Sequence, residues 1–203
     1  MVEYRKISKI LLATHNEGKI LEYRVLVKDY PFEFTTLSDL RIKDEPEEDG
    51  KTFEENALKK ADFYSRLTDL PVLAEDGGIE IDYLNGEPGV FSRRWPGHKA
   101  TDEELINMTL EKLKGIPKEK RGAQFRVVMA LRTDNQNTIT SEAILRGFIT
   151  EKPVSKIVPG FPFRSLFYVP DLGKVLGELS MEEEAKVAHR RIALKNLFEK
   201  LKR

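Results

Sequence analysis

The chain has 203 residues, 33 % of them charged and 40 % hydrophobic, which predicts one folded domain, or at most two lobes around one core, and excludes disorder by composition. Its 34 Lys plus Arg balance 34 Asp plus Glu, which argues against a general nucleic-acid or membrane-surface binder, and the absence of Cys excludes disulfides, thiol nucleophiles and Cys-based zinc sites. No apolar run approaches the roughly 18 residues of a membrane span and no signal-peptide core follows residues 1–6, so a soluble, cytoplasmic globular protein is expected.

In chain order, residues 7–13 read as a buried strand and 19–28 as a helix. The run Asp44, Glu45, Glu47, Glu48 and Asp49, closed by Gly50, reads either as a solvated acidic loop or as part of a metal or phosphate site. A strong helix is expected over 52–67, a short buried strand over 72–74 and an alternating one over 79–83. Another helix spans 101–113 and is closed by Gly115. Two long strands, 123–131 and 138–149, are joined by a polar turn at 132–137, and a last helix runs from 181 to about 202. Capping boxes are expected at Thr52/Glu55, Thr101/Glu104 and Ser180/Glu183. This mixture of helices, parallel-capable strands and a hairpin predicts an α/β or α+β chain with a mixed sheet.

Four segments carry polar groups where packing alone would not put them. Thr14-His15-Asn16-Glu17-Gly18-Lys19 follows a strand and opens a helix, where unpaired N–H groups, the helix dipole and the Lys19 charge suit an anion. It is not a Walker loop, since Ala13 stands where the first Gly belongs and Ile20 follows the Lys; an ordinary strand–helix turn is the competing reading. On a helical wheel of 52–67, Asn56 and Lys60 fall in the apolar arc with Phe53, Ala57, Tyr64 and Leu67. A Lys there either reaches a functional partner or snorkels past the helix edge. Val72-Leu73-Ala74-Glu75-Asp76-Gly77-Gly78 brings two carboxylates to the end of a buried strand, with glycines that permit close backbone approach. Strand alternation lets one of the two acids face a given site; such a carboxylate suits Mg²⁺, and a plain Asp-Gly-Gly turn is the alternative. Finally, Ala188-His189-Arg190-Arg191 near the last helix reads as an exposed basic cluster or as the lining of a binding site.

Taken in chain order, five pieces together resemble the inosine/xanthosine triphosphate pyrophosphatase (ITPase-like) family. They are Ala13 to Lys19, Gly50 to Ala61, Leu73 to Ile79, Leu84 to Ser92, and Ala188-His189-Arg190. The resemblance implies an elongated α/β fold, with a long mixed sheet and two lobes around a central cleft, and a homodimer. It implies Mg²⁺-dependent hydrolysis of a purine nucleoside triphosphate to the monophosphate and pyrophosphate. Carried onto matching positions, Thr14, Asn16, Gly18 and Lys19 would hold phosphates, with Gly77 beside them. Lys60, supported by Asn56, would reach the triphosphate. Asp76 would bind Mg²⁺ and activate water, and Glu47 or Glu48 would be the second metal ligand. Phe161 would stack on the base, which His189 and Arg190 would contact.

The chain departs from the family's pattern in the base-reading half. Phe161-Pro162-Phe163-Arg164-Ser165 stands where the family has Phe-Gly-Tyr/Trp-Asp-Pro, Glu184 stands where it has Lys, and Ala188 replaces its Ser. A carboxylate at 184 accepts hydrogen bonds and does not donate them to a 6-keto oxygen, which predicts a base preference moved away from inosine and xanthosine. Two other readings stay open: Arg164 and Glu184 pair with each other, or the loop aligns differently and Lys186 reads the base.

Overall fold

Ile10, Leu11 and Leu12 are all buried, the pattern of a strand covered on both faces. β1 (Lys9–Leu12) accordingly pairs in parallel with β2 (Glu33–Thr36) on one side and β3 (Val72–Ile81) on the other. The computed structural model describes residues 7–134, 137–155 and 157–201. Residues 1–6, Asn135 and Gln136 of the expected 132–137 turn, and Lys202 at the expected helix end lie outside the described residues. Among those described, seven strands form one mixed sheet in the order β2-β1-β3-β4-β5-β6-β7. The remaining strands are β4 (Gly122–Arg132), β5 (Thr138–Ile149), β6 (Phe167–Val169) and β7 (Lys174–Val175); β5, β6 and β7 pair antiparallel in succession. The helices are α1 (Glu17–Leu26), α2 (Phe53–Ser65), α3 (Asp102–Lys112), α4 (Met181–Val187) and α5 (His189–Leu201). The α/β class with a long mixed sheet is therefore as expected. Among the described residues no helix is long and apolar enough to cross a membrane.

Three expectations are corrected. β3 is one strand of ten residues, not two strands about a Gly-Gly turn. Its glycines serve close packing instead: a Cβ on Gly78 would collide with the Ser92 hydroxyl and the Gly89 carbonyl. β2 was not anticipated, because four residues reading Glu-Phe-Thr-Thr give almost no periodicity. The last helix is two, broken at Ala188, whose backbone is extended. The segments on either side serve different cores, Val187 packing with Leu176 and Leu179 while Ala193, Leu194 and Leu197 pack with Tyr23 and Phe32. Of the capping boxes, those at Thr101 and Ser180 are reciprocal. At α2 Thr52 accepts the Glu55 N–H, but the Glu55 carboxylate takes the N–H of Lys51.

The chain divides into two compact units. The first holds residues up to Asp76, Val127–Ala143 and the chain from Arg190 onward. Its core joins Ile10, Leu12 and Leu73 of the sheet to Tyr23 of α1 and Leu197 and Phe198 of α5, with the Phe32 and Phe198 rings 4.6 Å apart. The second holds Gly77–Arg126 and Ile144–His189 and packs Ile79, Ile81, Leu105, Leu113, Phe163 and Phe167.

Within the second unit Arg121, only 3 % exposed, ties elements together through backbone carbonyls. Its Nε donates to Ile149 O at 2.7 Å, Nη1 to Leu113 O at 2.8 Å and Nη2 to Thr150 O at 2.7 Å. Leu113 is the cap of α3, so a cation meets the negative end of that helix dipole. Truncation removes the guanidinium donors from the Ile149, Leu113 and Thr150 carbonyls, of which Leu113 keeps the Ile116 N–H. Arg121→Met is expected to lower the unfolding free energy by about 3 kcal/mol in urea titration; a change below about 0.5 kcal/mol would contradict this role.

Candidate active site

The first unit assembles most of the polar residues singled out in the sequence. β1 ends at Leu12, and the loop to α1 is shaped by its own side chains: Thr14 Oγ1 accepts the Asn16 N–H and Asn16 Oδ1 accepts the Lys19 N–H, each at 3.2 Å. Asn16 is thus the N-cap of α1, and the helix's first N–H groups, around Gly18, lack intrahelical acceptors. Lys19, in the first turn, adds a full positive charge beside them.

On α2, Asn56 and Lys60 are 1 % and 8 % exposed, so neither escapes to solvent. Asn56 is fully engaged: Oδ1 accepts the Gly50 N–H at 2.8 Å and Nδ2 donates to Asp76 Oδ2 at 3.0 Å. Gly50 is required there, because a Cβ would collide with the Asn56 amide. Lys60 Nζ lies 2.7 Å from Glu48 Oε1 and 3.4 Å from Asp76 Oδ1. Burial works to lower the Lys60 pKa, but Asp76 and Glu48 outweigh it and hold it above the ordinary 10.5. Glu48, half-buried, is thereby the member of the acidic run that joins the cluster, whereas Glu47 is exposed. Two carboxylates share one ammonium and leave a negative charge in excess. That donor set of hard oxygens fits a divalent cation such as Mg²⁺, which needs only one or two carboxylates. Among the described residues no group of three or more His, Cys, Asp or Glu forms a metal cage.

Glu75 precedes Asp76 on β3 and, as alternation requires, meets different partners. Lys19 Nζ lies 3.0 Å from its Oε1, the Tyr23 hydroxyl donates to Oε2 at 2.5 Å, and Arg190 Nε lies 3.1 Å from both oxygens. Arg190 Nη1 also reaches Glu22 at 3.3 Å. Burial pushes the Glu75 pKa up, yet Arg190 and Lys19 prevail and hold it well below the ordinary 4.5. For Arg190, burial is likewise outweighed by Glu75 and Glu22, and its pKa is raised. Burial and the Glu75 charge raise the Tyr23 phenol well above 10.0, so it remains a donor. Arg190 is therefore no exposed basic residue; it is 8 % exposed within a paired cluster.

The second unit carries the remaining predicted residues. Arg164 Nη2 lies 2.5 Å from Glu184 Oε2, with side chains 14 % and 29 % exposed. The same guanidinium stands 5.6 Å over the Phe161 ring, and its Nε is buried without a hydrogen-bond partner. Of the readings left open above, mutual pairing of these two side chains is the one the geometry contains. Lys186 is exposed. His189 is buried and stacks on Phe125 at 5.9 Å and 21°. Gly77 is half-buried in β3.

Sequence reasoning passed over Tyr23 and Glu22, and gave Gly50 no part beyond closing the acidic run and opening a family segment. Glu22 and Tyr23 follow Lys19 by three and four positions, the helical spacing that puts side chains within reach of one another, which was the available signal.

The chain matches the model of the Ham1 family over residues 10–200. It is 44 % identical over 189 residues to a dITP/XTP pyrophosphatase of Thermoanaerobacter sp. (strain X514), covering 93 % of this chain and 94 % of that protein. Its identity to the Escherichia coli (strain K12) dITP/XTP pyrophosphatase is 35 % over 198 residues, or 97 % and 99 % of the two chains. Two solved structures are similar to the fold. The Staphylococcus aureus Ham1 protein gives a TM-score of 0.82 at 34 % identity, and a HAM1 protein from Coxiella burnetii gives 0.84 at 35 %, each covering 96 % of this chain and 98 % of its own.

A carboxylate with a depressed folded-state pKa stabilises the fold above its unfolded pKa and loses that contribution as pH falls toward the folded value. For Glu75 the difference in unfolding free energy between wild type and Glu75→Gln is expected to stay constant down to about pH 5 and to shrink below its ordinary 4.5. Chemical denaturation between neutral and acid pH measures it. A difference that shrinks around neutrality would contradict the assignment.

Proposed function

The chain belongs to the Ham1 family, and on that footing we propose how its residues carry out the reaction it catalyses, hydrolysis of a nucleoside triphosphate to the monophosphate and pyrophosphate. The observation that carries the proposal is the Asp76–Lys60–Glu48 cluster, in which a buried ammonium and two carboxylates meet. Asp76 accepts a proton from water as the water oxygen bonds to phosphorus. The bond from the α-phosphorus to the bridging oxygen breaks, and pyrophosphate leaves. Lys60 gives its positive charge to the triphosphate, while Asn56, anchored by the Gly50 N–H, keeps Asp76 oriented. Thr14, Asn16, Gly18 and Lys19 at the start of α1 hold phosphate oxygens, the task for which a helix N-terminus is suited. Asp76 and Glu48 would hold Mg²⁺, which supplies charge neutralisation to the phosphates when bound. Such chemistry depends on positioning and electrostatics, so the lack of Cys and the scarcity of His cost it nothing.

For the base, Phe161 supplies a stacking face and His189 a further contact in the second unit, whereas Arg190 of the first unit is engaged by Glu75 and Glu22. The Arg164–Glu184 pair supports a conservative reading of the exchanged signs: the two charges pair with each other, and neither needs a base edge to be neutralised. The preference then follows the relatives' names, toward deaminated purine triphosphates. The same resemblance carries a cytoplasmic homodimer into the proposal; exposed Phe91 and Tyr83 are side chains that an assembly would cover, and sedimentation equilibrium measures the mass.

Asp76→Asn is expected to lower kcat for pyrophosphate release by about 10²- to 10⁴-fold with Mg²⁺ present, the protein remaining folded. Wild-type turnover in that variant would refute the assignment of Asp76. In a panel of standard and deaminated triphosphates, inosine or xanthosine triphosphate should give the highest kcat/KM. A preference for adenine or guanine nucleotides, reversed by Glu184→Lys/Arg164→Asp, would show instead that the exchanged pair reads the base.

A further inference from the structure

Glu75 has no part in the mechanism above, yet its carboxylate is bonded to three side chains, Lys19, Tyr23 and Arg190. It is 2 % exposed, and its two oxygens are divided in an ordered way. Arg190 Nε spans both at 3.1 Å, Lys19 takes Oε1 at 3.0 Å, and the Tyr23 hydroxyl takes Oε2 at 2.5 Å. We infer that Glu75 is a positioning residue for the phosphate-binding cation Lys19, and that Tyr23 and Arg190 tune how tightly it holds that cation. The inference rests on the reading of Lys19 as a phosphate ligand.

A carboxylate devoted to Lys19 alone would neutralise it, and an incoming phosphate would have to displace the carboxylate. Here one negative charge is spread over two cations and a hydroxyl. Arg190, further held by Glu22, fixes the plane of the carboxylate, and the hydroxyl fixes which oxygen Lys19 meets. Lys19 therefore has a defined place beside the α1 N-terminus, held by one oxygen of a carboxylate that it shares with Arg190 and Tyr23. Tyr23 itself is wholly buried in the α1–α5 core, so its hydroxyl can be removed with the ring left in place.

The test is steady-state hydrolysis of inosine triphosphate by Tyr23→Phe and Glu75→Gln beside Asp76→Asn, with inorganic pyrophosphate as a competitive inhibitor. Tyr23→Phe should raise KM and the pyrophosphate inhibition constant together, by about threefold to tenfold, with kcat within about twofold of wild type. Glu75→Gln should raise both by more than about tenfold. Tyr23→Phe decides the matter alone if Glu75→Gln does not fold. A merely structural role would lower the melting temperature while KM and the inhibition constant stayed within about twofold of wild type, and that result would overturn the inference. Wild-type turnover by Asp76→Asn would overturn the reading of Asp76 alone, whereas a Lys19→Met variant with wild-type KM and pyrophosphate inhibition constant would overturn the parent reading of Lys19, and the inference with it, whatever Tyr23→Phe does.

Discussion

Two carboxylates placed side by side on a buried strand must each find cations of their own, because an unpaired charge in the protein interior costs several kcal/mol or titrates away. β3 imposes that condition on the first unit by carrying Glu75 and Asp76 at 2 % and 8 % exposure. The pleat sends them to separate partners, and much of the local sequence answers to one or the other. Lys60 and Asn56 interrupt the apolar face of α2 for Asp76. Gly50 lacks a side chain so that its N–H can orient Asn56. Lys19 and Tyr23 of α1 and Arg190 of α5 serve Glu75.

The same condition explains the sign of the surplus in each cluster. Around Glu75 the charges balance, Lys19 and Arg190 against Glu75 and Glu22. Such a cluster holds its own side chains in place without surplus charge, as suits the positioning of Lys19. Around Asp76 two carboxylates face one ammonium, and the excess negative charge suits a site that takes up a cation with its polyanionic substrate. The zero net charge of the whole chain conceals this difference entirely. It also conceals the Arg164–Glu184 pair, whose exchanged signs cancel in the total.

The parts of this arrangement legible in the sequence were those that break a local rule. A Lys and an Asn within an apolar helical arc, and acids at the end of an apolar strand, stood out because periodicity predicts something else there. The start of α1 as a candidate anion site was legible from its strand, cap residue and Gly-Lys. The partners of Glu75 were not, since which of two adjacent acids meets α1 and α5 depends on the pairing of β1 with β3, contacts between residues far apart in sequence. Nor was the break at Ala188, where neither Pro nor Gly marks the change and only the two cores on either side explain it. Pairing of Arg164 with Glu184 was one of several readings the spacing allowed; their distance is a property of the fold.

In the proposed mechanism the neighbouring acids divide the labour, Glu75 holding protein cations and Asp76 facing metal and water. A crystal structure with Mg²⁺ and a non-hydrolysable inosine triphosphate analogue tests it most directly. Asp76 and Glu48 are expected on the metal, with Glu75 still bonded to Lys19, Tyr23 and Arg190. Glu75 ligating the metal, with Asp76 left on Asn56 and Lys60 alone, would contradict it.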